Sequence, residues 1–342
     1  MPSVSKIAQH AGVSKSTVSL VLNNKPGVSE NMRQQVLSVV DQLRAEEATS
    51  NNNLTRRKIH PKQALLSVVV LHPAILPSSQ VFSEFLQGIQ AGADTYQVQL
   101  RLAVNDPHSP PEHITRLYLT DPALRPNGLI FMGARIVEPL IDEAKRQNIP
   151  YVLVGRQAPD SSASAIGRNE EEVTLEATNY LLELGHKAIA FVGGDEAYSY
   201  THHRLDGYKQ ALQAQQIEPL ERWVALGDGR EAAEKILSTS PEITAVIFVN
   251  DSYAMQGLPV FKAAGRRIPD DLSVISYDDT EEARSFDPPL TSIPYPRFES
   301  GLWALRALVE RTKHPEMQSI QITFKSSLIK RASCAPSRQP KS

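Results

Sequence analysis

The N-terminal fold is decided by one short stretch, residues 7–23, which reads IAQHAGVSKSTVSLVLN. Apolar residues recur at helical spacing in both halves of this stretch, and Gly12 separates the halves. Ser14 is a natural N-cap for the second half, in which Val18 and Val21 have core spacing. The stretch therefore predicts two short helices joined by a tight turn.

A third helix is predicted after a turn at Asn23–Gly27, with a capping segment at Ser29–Asn31. Its predicted apolar stripe consists of Met32, Val36, Val39, Val40 and Leu43. The second helix opens with small, polar or basic residues, which suits a helix whose N-terminal end enters the major groove of DNA. Residues 1–45 are therefore interpreted as an all-α, DNA-binding headpiece of the helix-turn-helix type.

The same residues closely resemble the headpiece of the lactose-repressor (LacI/GalR) family of bacterial transcription regulators. The likeness runs almost residue for residue through residues 7–23 and continues at Val28-Ser29 and in RQQVL, residues 33–37. It implies a repressor that binds palindromic operator DNA as a homodimer under the control of a small-molecule effector, and no cofactor is expected. The headpiece residues expected to contact DNA are Ser5, Lys15, Ser16, Thr17, Ser19, Leu20, Asn23 and Asn24. Of these, Lys15, Ser16 and Leu20 are expected to face bases, and the others phosphates.

Length, composition and charge agree with an intracellular protein of several domains. A chain of 342 residues accommodates two or three domains of about 150 residues each. Cys334 is the one cysteine, and no stretch approaches the roughly 20 apolar residues that cross a bilayer, so a cytoplasmic location is expected. Residues 1–62 carry nine basic and four acidic side chains, whereas the remainder carries 27 basic and 34 acidic ones. Such a difference also arises by chance, but beside a helix-turn-helix it supports phosphate attraction at the headpiece.

Residues 46–63 lack apolar periodicity and are interpreted as an interdomain linker. Three successive asparagines, Asn51–Asn53, disfavour a helix, and a basic cluster follows them. In the resembling family this place holds a hinge helix that wedges a leucine into the minor groove, which implies a DNA contact for Leu54. The family's usual Pro-Asn and Ala-Arg-x-Leu pattern is absent here. A solvated linker and a DNA-induced hinge helix are therefore equal alternatives.

Residues 64–334 alternate near-continuous apolar strands with helices, a pattern typical of parallel sheets covered on both faces. Their length predicts two doubly wound α/β subdomains, divided near Asn148–Gln157, and residues 335–342 are expected to form a tail. The strands are predicted at Leu65–Leu71, Gln99–Val104, Gly128–Met132, Tyr151–Val154, Ala188–Val192, Ala245–Val249 and Val274–Ser276. This core resembles the periplasmic-binding-protein-like core of the same family, which implies a ligand cleft at the carboxyl ends of the strands.

Seven residues are expected by this resemblance to contact a sugar-like effector: Val81, Phe82, Asn169, Tyr198, Arg204, Asn250 and Asp278. Arg204 offers a planar fork of donors, Asp278 can accept two hydroxyl hydrogen bonds, and Asn250 both donates and accepts. Alternatively, Asp278 and Asn250 cap the helices after them, Arg204 pairs with a surface acid such as Asp206, and Phe82 is a core residue. Arg156 either favours a phosphorylated or acidic sugar or lies outside the pocket.

Enzymatic functions and an exported solute-binding protein find little support in the sequence. His202-His203 lacks metal-ligand spacing with another histidine, cysteine or acidic cluster. Gly193-Gly194-Asp195 follows a strand without a nucleotide-binding pattern, and Cys334 has no neighbouring base to activate it. A free solute-binding protein needs an export signal and no DNA-binding head. We therefore expect a non-enzymatic regulator without a metal site.

Overall fold

The structure is a computed structural model that describes residues 4–22, 27–29, 31–40, 67–73, 80–105, 119–121, 123–132, 138–156 and 163–338. Its contacts divide the chain into two compact units, Met1–Ala64 and Leu65–Ser342. No helix within these described ranges is long and apolar enough to cross a membrane.

The described part of the first unit contains three short helices: α1 (Val4–Ala11), α2 (Lys15–Leu22) and α3 (residues 31–40). Gly12 joins α1 to α2 at φ +65, a left-handed conformation that glycine adopts without steric cost. The core consists of the buried residues Ile7, Ala8, Ala11, Val18, Val21, Val36 and Val40. The predicted stripe of α3 is wrong at Met32, which is 37 % exposed, and its last member, Leu43, lies outside the described residues.

The second unit alternates strands and helices. The described strands are β1 (Ser67–Pro73), β2 (Gln99–Asn105), β3 (Gly128–Met132), β4 (Tyr151–Val154), β5 (Ser164–Arg168), β6 (Ile189–Val192), β7 (Val224–Ala225), β8 (Ala245–Phe248), β9 (Ser273–Asp278), β10 (Thr291–Pro294) and β11 (Gln321–Phe324). The described helices are α4 (Gln80–Tyr96), α5 (Glu138–Arg146), α6 (Glu170–Glu183), α7 (Ser199–Ala214), α8 (Gly229–Thr239), α9 (Asp251–Ala263), α10 (Glu281–Ser285) and α11 (Arg297–Lys313).

These strands form two parallel sheets. The first sheet has six strands in the order β11-β5-β4-β3-β1-β2, and the second has five in the order β10-β9-β8-β6-β7. The central strands β3, β4 and β8 are buried along their whole length, as expected for parallel strands covered on both faces. The predicted fold class, a helical headpiece plus a core of two doubly wound subdomains, is confirmed.

The boundary between the subdomains differs from the prediction at Asn148–Gln157. Both β4 and β5 belong to the first sheet, where Val154 pairs with Ile166, so the chain first crosses to the second sheet after Arg168. It crosses back between Pro294 and Arg297, because α11 packs against the first sheet and β11 pairs with β5. The sequence of β5, SAIGR, has too few apolar residues to stand out as a buried strand.

Helices α4 and α11 pack closely against each other beneath the first sheet. A Cβ atom placed on Gly301 would overlap the carbonyl oxygen of Phe85, and one on Gly88 would overlap that of Phe298. These two glycines therefore let the helix backbones approach more closely than any other residue type would allow.

The segment Ser333–Arg338 is tied to the second subdomain. Ser333 is fully buried, and its Oγ donates to Val274 O at 2.6 Å and accepts from Thr291 N at 2.7 Å. Arg338 pairs with Asp270 at 2.6 Å. The prediction of a tail beginning at residue 335 is therefore wrong as far as Arg338, because backbone and hydroxyl partners on β9 and β10 hold this segment.

Candidate DNA interface and ligand cleft

The N-terminal end of α2 carries a cluster of hydroxyl groups. Ser14 is the N-cap, since its Oγ accepts from Thr17 N at 3.1 Å. The same Oγ lies 2.7 Å from Ser16 Oγ and 2.8 Å from Thr17 Oγ1. With the free amide groups of a helix N-terminus, such hydroxyls suit contacts to phosphate oxygens and base edges.

The exposed side of α2 carries part of the predicted DNA-contact set. Lys15, Ser16 and Ser19 are exposed, whereas Thr17 and Leu20 are half-buried. The remaining predicted contacts fall on parts that the structure does not describe: the side chain of Ser5, and residues Asn23, Asn24 and Leu54. The described face thus presents one cation and several hydroxyls, a combination that can contact both phosphates and base edges.

Two predicted effector residues stand at the carboxyl ends of neighbouring strands in the second sheet. Asn250 follows β8, and its Oδ1 accepts from Tyr253 N at 3.1 Å, so it caps α9 as the alternative interpretation held. Asp278 ends β9 at φ +98 and is 18 % exposed. It is not a helix cap, because Thr280 caps α10 by accepting from Ala283 N. Asn169, also predicted, caps α6 through Glu172 N at 3.2 Å.

A buried ion-pair cluster lies at the first crossing between the sheets. Glu170 accepts from Arg168 Nε at 3.0 Å and Nη2 at 3.1 Å, and from Arg204 Nε at 2.7 Å. Arg168 Nη1 also donates to Pro294 O at 2.7 Å, and Arg204 Nη1 donates to Val249 O. Arg204 is thus paired with a buried carboxylate and not with Asp206.

The two arginines of this cluster determine the ionisation of its carboxylate. Burial alone would raise the pKa of Glu170, but the guanidinium groups of Arg168 and Arg204 outweigh it and lower the pKa from 4.5 to about 2. Glu170 therefore stays ionised, and the cluster keeps one excess positive charge at the crossing. Sequence reasoning missed Glu170, since it lies in a run of three glutamates and its partners are distant in sequence.

Arg297, at the start of α11, connects the two subdomains and was also missed. Its Nη1 lies 3.1 Å from Glu84 Oε2 on α4, and its Nη2 donates to Asp278 O at 2.6 Å and lies 3.6 Å from Asp278 Oδ1. The side chain is 3 % exposed. One buried cation thus joins α4 to the end of β9.

A second buried carboxylate, Asp251, lies beside this strand end. Oδ2 accepts from Thr280 N at 2.8 Å and from Thr280 Oγ1 at 3.0 Å, while Oδ1 accepts from Ser276 and Ser292. Burial and the nearby charge of Asp278 raise the pKa of Asp251 from 3.8 to about 6, although the hydrogen bonds oppose the shift. Asp251 organises the β9–α10 turn that positions Asp278.

Aromatic and apolar side chains flank these polar groups. Tyr198 immediately precedes α7 and Tyr200 lies in its first turn, and their rings are stacked at 5.3 Å between centroids. The guanidinium carbon of Arg204 lies 4.8 Å from the centroid of Tyr200 and 4.2 Å from that of Tyr277. Val81 and Phe82 are half-buried in the first turn of α4. They pack against the hydrophobic core between the first sheet and helices α4 and α11, which supports the alternative that Phe82 is a core residue.

His202 and Cys334, which were considered above for metal binding or catalysis, have ordinary structural roles. The ring nitrogen Nε2 of His202 lies 2.8 Å from Glu196 O, and Cys334 Sγ donates to Val274 O at 3.2 Å. Burial raises the pKa of the Cys334 thiol, which keeps it protonated. Within the described residues no group of histidine, cysteine, aspartate and glutamate side chains could hold a metal ion.

Comparison with known families identifies both units. Residues 3–44 match the family described as bacterial regulatory proteins, lacI family, and residues 178–334 match the periplasmic binding protein-like domain. The chain thus carries a DNA-binding domain of the lacI family followed by a periplasmic binding protein-like domain. The curated relatives include transcriptional repressors, which supports the sequence-based expectation of a non-enzymatic protein.

Two curated relatives match nearly the whole chain. It is 29 % identical to the transcriptional repressor CytR of Escherichia coli over 332 residues, covering 96 % of this chain and 94 % of the relative. It is 28 % identical to the catabolite control protein A of Priestia megaterium over 312 residues, covering 89 % and 90 %.

Among solved structures, a complex of the transcriptional regulator CelR with cellobiose is 26 % identical and superposes with a TM-score of 0.73, covering 97 % of this chain and all of that one.

Proposed function

We propose that this regulator represses transcription in the cytoplasm by binding palindromic operator DNA as a homodimer, and that a sugar-like effector in the cleft controls this binding. The observation that carries the proposal is the presence on one chain of a helix-turn-helix headpiece and of a two-sheet core with polar residues at its strand ends. In a homodimer each headpiece takes one half-site, so that subunit symmetry sets operator symmetry.

DNA recognition is assigned to α2. Exposed Lys15 can donate to guanine O6 or N7, and Leu20 offers an apolar contact to a thymine methyl group. Thr17 Oγ1 and Ser14 Oγ are hydrogen-bonded to each other, so Thr17 suits a phosphate contact that sets register without selecting sequence.

Binding sites selected from a random-sequence duplex pool test this assignment with the full chain. Lys15→Ala is expected to weaken binding by about 1–3 kcal/mol and to relax the preference at one base pair in each half-site. Lys235→Ala removes an exposed lysine from α8 in the core and is the matched control, with no expected change. An equal loss on every selected sequence would assign Lys15 to phosphate contact instead.

Effector binding is assigned to Asp278 and Asn250, with Arg204 behind them. Asp278 is partly exposed at a strand end and retains acceptor capacity, whereas Arg204 is buried and already bonded to Glu170. Cellobiose is the first probe, because the CelR relative was solved with it. An effector can change DNA binding only by its different affinity for two arrangements of the core.

Operator titrations with and without cellobiose test the cleft. Asp278→Ala is expected to abolish the response to the sugar while leaving operator affinity without sugar nearly unchanged, because the headpiece is a separate compact unit. Asp206→Ala, on the exposed side of α7, is the control. If Asp278 only holds Arg297 in place, Asp278→Ala will instead lower the melting temperature and leave the sugar response intact.

A further inference from the structure

Arg156 lies at the ligand edge of the first sheet. It follows Gly155, which comes directly after β4, has φ +78 and donates its amide to Ile166 O at 2.9 Å. Since Val154 pairs with Ile166, Arg156 stands beside the end of β5, where Arg168 leads to the ion-pair cluster. The carboxyl ends of parallel strands are where open α/β sheets bind their ligands.

The guanidinium group of Arg156 is buried and incompletely paired. Its side chain is 8 % exposed, and Nη2 lies 3.2 Å from Glu138 Oε1. Nε and Nη1 are buried and have no hydrogen-bond partner among the described residues. An arginine cannot lose its proton to relieve such a burial, so unpaired donors here carry a full desolvation cost.

Arg168, on the neighbouring strand β5, is an arginine whose guanidinium group is fully hydrogen-bonded within the protein. All three of its guanidinium nitrogens are bonded, two to Glu170 and the third to backbone oxygens. Arg156 has one carboxylate neighbour, and that partner, Glu138, is itself 46 % exposed. The contrast indicates that the described residues leave two of the guanidinium nitrogens of Arg156 without a partner.

We propose that Arg156 binds a carboxylate or phosphate group of the cleft ligand, so that the effector is an acidic sugar derivative. This proposal rests on the proposed function. A guanidinium fork with two open donors matches the paired oxygens of either anion. Glu138 competes for the same guanidinium and limits its affinity for an anion in the absence of the rest of the ligand.

Thermal unfolding of the full chain with inorganic phosphate, acetate or cellobiose, at constant ionic strength, tests the proposal. At least one of the two anions should raise the melting temperature, and which one does so distinguishes a phosphorylated from a carboxylated ligand. Arg156→Gln should weaken that anion's apparent affinity by at least about tenfold, the loss expected for charge-assisted hydrogen bonds. Arg230→Gln, at an exposed arginine on α8, should change nothing and controls for anion binding elsewhere.

Glu138→Gln provides the test of opposite sign. It frees Nη2 of Arg156 and should tighten anion binding, a result that a destabilised fold would not produce. The proposal is overturned if neither anion stabilises the protein, or if both act equally on the protein and on Arg156→Gln. Stabilisation by cellobiose under those conditions would leave the proposed function standing with a neutral effector.

Discussion

Replacing Glu170 by Gln should destabilise the regulator strongly, although this glutamate lies in a run of three acids at a helix start. Two buried arginines share the carboxylate, and together they lower its pKa from 4.5 to about 2. A shift of that size corresponds to about 3 kcal/mol, at 1.36 kcal/mol per pKa unit. Removing one partner from a buried ion pair costs about 3–5 kcal/mol in general. We therefore expect Glu170→Gln to lose about 3 kcal/mol.

Urea-induced unfolding of the full chain at neutral pH measures this loss. Glu172→Gln, an exposed glutamate in the same helical turn, is the matched control and should be nearly neutral. The stabilising contribution of Glu170 is fully present above about pH 4.5 and is lost as the pH falls toward 2, so the two curves should converge in acid. A loss below about 1 kcal/mol at pH 7, indistinguishable from Glu172→Gln, would refute the argument that the arginines depend on this carboxylate.

Two further predictions concern the core. The pKa of Asp251 is raised from 3.8 to about 6. Its contribution to stability is therefore present below about pH 4, and about 3 kcal/mol is lost as the pH rises through 6. Asp251→Asn should remove this loss and so flatten the pH dependence of the free energy of urea unfolding between about pH 4 and 6. The same pH dependence in Asp251→Asn as in the wild type would contradict this prediction. Gly301→Ala should lower the free energy of unfolding by about 1–3 kcal/mol, because the new methyl group overlaps Phe85 O on α4. If calorimetry finds the same melting temperature for Gly301→Ala and the wild type, the close approach of the two helices is disproved.

The elements that were predictable from sequence are those whose burial shows in local composition. The runs at Gly128–Met132 and Tyr151–Val154 are wholly apolar or aromatic beyond one glycine, and the strands coincide with the predictions. Strands β5 and β11, which read SAIGR and QITF, were missed because polar residues interrupt them. In β11 every second residue is half-buried and the others are exposed, as expected for the edge of a sheet.

The sequence indicated which strand ends lead to the candidate cleft, but it did not indicate the hydrogen-bond partners of the residues there. Asn250 follows β8 and Asp278 ends β9, positions that are local features of the sequence, whereas Arg204 lies on α7 and reaches Val249 O through its side chain. Their hydrogen bonds join residues far apart in sequence, as in Arg204 to Glu170 and Arg297 to Glu84. No periodicity distinguishes buried Glu170 from the exposed Glu172 two positions later.

The return of the chain to the first sheet has a consequence for synthesis on the ribosome. The first sheet begins at residue 67 but lacks its edge strand β11 and its covering helix α11 until residue 324 has been made. Every strand of the second sheet lies between Ile189 and Pro294, in one continuous stretch that is complete earlier. Domains that fold during synthesis usually do so in chain order. Here the sheet that starts first is the last to receive all its strands, and the edge of β5 stays open from Arg168 until Gln321, about 150 residues of further translation.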